Sequence, residues 1–180
     1  MAIKTSITKI LLILLLGALI SGCGGAKSIL KQSEVDRTFM LPVKFYEQKD
    51  EGRCGVVALS AVLDFYGVSY TDIGSIYNNE INGTKVISIV NYAKEYAGHY
   101  LYARTDRVGY DEIAAIIRAG DPVIILQKHN DFNHYSLVKG FFLDERRIII
   151  NDGENENVIV SLIKKGDESK FVAIIFSKIK

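Results

Sequence analysis

Cys54 opens the stretch CGVVALSAVLDFYG, and Gln48 stands six residues upstream of it. Sulfur attacks as the thiolate, and the unsatisfied N–H groups of a helix N-terminus favour that charge. The apolar spacing predicts such a helix over 54–66, ended by Gly67. Gly55 leaves the backbone beside the sulfur unshielded. Position alone is equally compatible with a buried, inert cysteine. His134 opens the alternating stretch HYSLVKGFF, and Asp152 closes RRIIIND. These two stretches form a hairpin around the polar turn LDE, so residues 18 positions apart, His134 and Asp152, are expected side by side. A carboxylate next to an imidazole fixes its tautomer and stabilises the imidazolium. Thiol, imidazole and acid together are the set for nucleophilic attack on an acyl carbon. Asn151 is the rival of Asp152 for the third place: side chains alternate along a strand, only one of the two faces His134, and an Asn can serve there too.

The elements that must position these groups follow from pattern. YTDIGSIY reads as a short helical turn. Thr84 reads as the N-cap of a helix over KVISIVNYAKEYA, closed by Gly98. HYLYAR alternates as a strand. GYDEIAAIIRAG is a helix with acids in its first turn and Gly120 after it. PVIILQ, HYSLVKGFF, RRIIIND, NVIVSLI and FVAIIFSKI then read as strands, the last two split by the loop KKGDES. Helices followed by antiparallel strands argue an α+β fold, with N-terminal helices packed on an antiparallel β-sheet.

The chain has 180 residues, 48% hydrophobic and 24% charged, which suits one globular domain. A net charge of +1 argues against a nucleic-acid partner. No phosphate-binding loop of the GxxxxGK[ST] type is present, so this chain is not expected to bind ATP. His99, His129, His134 and one free cysteine show no metal-ligand spacing, and no cofactor is implied. The start is basic (Lys4, Lys9), then apolar over ILLILLLGALI, then small, the signature of an export signal. Its end, LISGC, resembles the lipobox of bacterial lipoproteins. That resemblance implies cleavage before Cys23, lipid on the Cys23 thiol and a membrane as partner. The expected organisation is a signal peptide over 1–22, a lipidated tether over 23–41 and a catalytic domain over 42–180. Lipidation of Cys23 would leave Cys54 without a disulfide partner. A lone thiol in an oxidising compartment calls for a reason, and catalysis supplies one.

Gln48, the Cys54–Gly55 pair at a helix start, the His134 strand and the Asp152 strand end come in the order of a known family. The chain resembles the papain-like cysteine peptidases that process bacteriocin precursors after a double-glycine leader; GTKVISIVNYAKEYAG also resembles that family's middle helix. The resemblance implies Cys54 as nucleophile, His134 as its base, Asp152 as the group orienting His134, and Gln48 as an oxyanion donor with the Cys54 N–H. It implies a peptide or protein substrate, cleaved after Gly-Gly in that family. Two features depart from the family. Gly153 follows Asp152 where Pro is usual, and an export signal stands in a chain without the ATPase to which well-known members are fused. The expectation is therefore a lipid-anchored peptidase of the bacterial cell envelope, outer membrane if the host has one, alongside a separate export transporter. A catalytically silent peptide-binding lipoprotein, or an amidase or transglutaminase with the same Cys-His-Asp set, are the alternatives.

Overall fold

A computed structural model describes residues 28–129, 132–161 and 171–179. The expected export signal, Cys23 and the whole KKGDES loop lie outside the described residues. Three helices carry the apolar stretches read above: α1 (Cys54–Phe65), α2 (Val86–Ala97) and α3 (Tyr110–Arg118). Ten strands accompany them among the described residues: β1 (Ser28–Ile29), β2 (Thr38–Met40), β3 (Tyr77–Asn78), β4 (Gly83–Thr84), β5 (Leu101–Val108), β6 (Val123–His129), β7 (Phe132–Phe142), β8 (Arg147–Asn151), β9 (Val158–Ser161) and β10 (Phe171–Lys178). Eight form one antiparallel sheet in the order β1-β9-β8-β7-β6-β10-β5, with β2 added to β7. This is the expected α+β architecture of helices on an antiparallel sheet.

The core lies between Leu59, Val62 and Leu63 of α1, Ile89 of α2, Ile113 and Ile117 of α3, and the sheet residues Ile124, Ile125, Leu137, Val138 and Phe176, all almost fully buried. Helix α1 packs on β7, and β7 is the long central strand that also meets β6, β8 and β2. The helix that begins at Cys54 and the strand that carries His134 are thus pressed together by apolar burial.

Two boundaries differ from the sequence reading. Thr84 is not the cap of α2: it pairs with Tyr77 in the small β3–β4 sheet, and Lys85 takes the N-cap position without a side-chain hydrogen bond. Residues 28–41, read as part of a tether, are built into the sheet. β1 pairs with β9 and β2 with β7, and Leu30 and Met40 cover a small cluster of Phe142, Ile149 and Ile159. Ion pairs from Glu34 to Arg147 and from Arg37 to Asp144 and Glu145 hold the intervening turn. Strands of two and three residues carry too little alternation to be read locally.

Candidate active site

Cys54 occupies the first turn of α1 and is buried, with 8% exposure. Arg53, the N-cap, supplies no side-chain hydrogen bond to the first-turn N–H groups. The helix start is pressed against β4 and β7. A methyl group on Gly55 would lie 2.8 Å from Thr84 Cβ and 3.1 Å from Tyr135 Cδ2, so only glycine fits. Tyr135 closes this contact from both ends: its hydroxyl donates to the Thr84 carbonyl at 2.9 Å, and its backbone N–H donates to Cys54 Sγ at 3.5 Å. The residue directly after His134 therefore touches the sulfur. Sequence reasoning passed over Tyr135, whose only signal was its place next to the histidine.

The charge environment departs from the expectation of a lowered thiol pKa. Burial pushes the Cys54 thiol up, and the N–H groups of Tyr135, Gly55 and Cys54 oppose it without prevailing. The N–H groups at the helix start thus act on the sulfur against the effect of burial.

His134 and Asp152 are brought together, and one contact between them is to the Asp152 main chain. His134 Nε2 lies 2.7 Å from the Asp152 carbonyl oxygen. A carbonyl only accepts, so Nε2 carries the proton, and in the neutral ring the lone pair sits on Nδ1. The buried Asp152 carboxylate accepts the N–H groups of Glu154 at 3.1 Å and Asn155 at 2.7 Å, which folds the loop after β8 back on itself. Asn151 pairs with Leu137 across the hairpin and so shares its face; both line the cleft at Cys54.

Gln48 is tied to that same loop. Its N–H donates to the Gly153 carbonyl at 2.7 Å, while its side-chain Nε2 donates to the Asp50 carbonyl at 2.9 Å. Gly153 has φ +87 and no Cβ where the Gln48 side chain lies. A small cleft adjoins Cys54, lined by the apolar Val57, Ala58, Ala61 and Leu137 and by Lys44, Tyr46, Asn151 and Gly153. Among the described residues no group of three or more His, Cys, Asp or Glu side chains is placed to hold a metal ion.

The Peptidase C39 family model matches residues 42–176. The chain belongs to the Peptidase C39 family. Its fold is that of solved peptidase domains. A double glycine motif protease from an AMS/PCAT transporter, in complex with the leader peptide, shares 20% identity at a TM-score of 0.57, over 78% of this chain and 94% of that one. A protein from Bacillus anthracis assigned as a C39-like peptidase shares 18% at 0.56, over 81% and 100%. The peptidase domain of Streptococcus ComA, a bi-functional ABC transporter involved in a quorum sensing pathway, shares 20% at 0.52, over 76% and 97%. Among curated proteins no sequence matches. At these identities the solved structures speak to the fold of this C39 chain, and the stretch 28–41 precedes the region the family model matches.

Proposed function

We propose that this C39 protein is a cysteine endopeptidase, held at the cell envelope by lipid on Cys23 and cutting an exported peptide or leader, after a Gly-Gly pair where one is offered. The observation that carries the reading is the Tyr135 N–H on Cys54 Sγ, which sets the base's strand against the nucleophile. In this mechanism His134 Nδ1 takes the Cys54 proton as sulfur attacks the scissile carbonyl. The carbonyl's electron pair moves onto oxygen, and the Cys54 N–H with the Gln48 side chain stabilises that oxyanion. Gln48 must first exchange its Asp50 partner for the oxyanion. His134 then gives the proton to the leaving amine, and water hydrolyses the thioester by the same path. The Asp152 carbonyl holds the ring, and its carboxylate holds the loop that presents that carbonyl. A thiol whose pKa burial raises fits this scheme, because the proton leaves only as the bond forms.

The double-glycine protease that resembles this chain was solved with a leader peptide, and ComA is an ABC transporter, which supports a peptide substrate and a separate export transporter as partner. A second reading, a silent peptide-binding lipoprotein, is favoured by the raised thiol pKa and by the engaged Gln48 amide. The deciding experiment incubates residues 23–180 with peptides containing one Gly-Gly pair and maps the new termini by mass spectrometry. Cleavage that vanishes in Cys54→Ala supports the peptidase; intact peptide that still binds supports the silent module. A competing amine added to the reaction separates hydrolysis from a transglutaminase-type transfer.

A further inference from the structure

The cleft beside Cys54 contains a polar side chain that the scheme above does not use. Asn151 is 6% exposed. Its Oδ1 accepts the Asn157 N–H at 3.3 Å, and since that partner is a donor, the orientation of the amide is fixed. Asn157 is itself held in place, in a left-handed turn at φ +57, by the Leu30 N–H donating to its carbonyl at 2.9 Å. The other end of the amide, Nδ2, is buried and has no hydrogen-bond partner among the described residues. A buried donor left unpaired is costly, and native proteins retain few of them. Here the unpaired donor belongs to a residue that lines the same cleft as the sulfur, together with the apolar Val57, Ala58, Ala61 and Leu137. The group that complements an amide N–H over an apolar surface is a carbonyl oxygen attached to an apolar or small residue.

We propose that Asn151 is a substrate-binding residue, whose Nδ2–H donates to a main-chain carbonyl of a peptide residue flanking the scissile bond while that residue's side chain meets the apolar lining. The inference rests on the peptidase reading for its ligand and differs from the alternative in which Asn151 orients His134. It assigns the two neighbours separate tasks: Asp152 serves the imidazole through its main chain, and Asn151 serves the peptide.

The test is a double-mutant cycle between protein and peptide. The probe is a synthetic peptide with one Gly-Gly pair and apolar residues on both sides. In a series of analogues, each carbonyl within three residues of the pair is replaced in turn by a methylene. Wild type, Asn151→Leu and Asn151→Asp are compared; the Asp variant keeps the acceptor for Asn157 and loses the donor. At one position the methylene should cost wild type about tenfold in kcat/KM, the worth of one neutral hydrogen bond, and cost the variants nothing further. The alkylation rate of Cys54 without peptide should keep its pH profile in Asn151→Leu. Equal methylene costs in all three proteins at every position would overturn the proposal, as would a shifted alkylation profile, which would place Asn151 behind the imidazole. If wild type cuts nothing, the same cycle is read as binding to the Cys54→Ala protein. Coupling there keeps this inference while hydrolysis falls, and absence of coupling or of binding sinks it.

Discussion

Gly153→Ala tests how the loop after β8 and Gln48 support one another. Gly153 sits at φ +87, and a Cβ placed there would lie 3.0 Å from Gln48 Oε1 and 3.2 Å from Gln48 Cβ. The left-handed backbone costs an alanine about 1 kcal/mol, from Cβ against its own carbonyl. Crowding Gln48 by a few tenths of an ångström adds about another 1 kcal/mol, the low end of overpacking. The sum of about 2 kcal/mol corresponds to a fall of roughly 4–8 °C in Tm for a domain of this size. Urea unfolding should show a lower midpoint at unchanged slope. In a Gln48→Ala background the contact with Oε1 is gone while that with Cβ stays, so the cost of Gly153→Ala should shrink part of the way toward about 1 kcal/mol. Activity should fall as well, by up to about a hundredfold, because the displaced Gln48 is the proposed oxyanion donor. Gly153→Pro should be worse than Ala, since proline holds φ near −65° and cannot adopt this turn, although Pro is usual at this point in the leader peptidases the chain resembles. A Gly153→Ala protein as stable and as active as wild type would refute the reasoning, and so would a stability cost unaffected by Gln48→Ala.

Three further outcomes follow. Burial raises the Cys54 thiol, so its labelling by iodoacetamide should be slow at neutral pH and keep rising through the alkaline range; a plateau below neutrality would show a preformed thiolate instead. Burial also raises the phenols of Tyr66 and Tyr135, and that of Tyr92 up to about 12, so above pH ~10 the unfolded chain loses these protons before the folded one does. That stability is fully present below the unfolded phenol pKa and is lost as pH climbs above it toward the folded values, so urea midpoints should differ little between pH 8 and 9 and fall between pH 10 and 11. Replacing Cys23 by Ser should move the protein from the membrane to the soluble fraction, and an unchanged distribution would exclude the lipid anchor.

The local signals carried the helices and most of the sheet. The apolar face of α1 up to Phe65, and the acids at the start of α3, where Glu112 accepts the Gly109 N–H, are both written in short windows. So was the β7–β8 hairpin, because two alternating runs flank a polar turn. What windows of that size do not contain is long-range order. β10 inserts between β5 and β6, although it is last in the chain. The strands within 28–41 find their partners in β9 and β7, a hundred residues away or more. Within the site, residue types were legible and their orientations were not. Alternation said that only one of Asn151 and Asp152 faces His134, but the register Leu137↔Asn151 was needed to put Asn151 on the cleft side. The sign of the Cys54 shift was misjudged because the helix N-terminus is visible in sequence, whereas the burial that outweighs it is created by β7 and β4.

The most direct measurement of the central claim, that Cys54 attacks and His134 moves its proton, is intact-mass spectrometry of acid-quenched mixtures of the protein with a Gly-Gly peptide. The account predicts a transient thioester on Cys54, with the mass of the N-terminal fragment less water, that is absent in Cys54→Ala and forms about a hundredfold or more slowly in His134→Ala. Peptide cleavage that proceeds without this adduct and survives Cys54→Ala would contradict it.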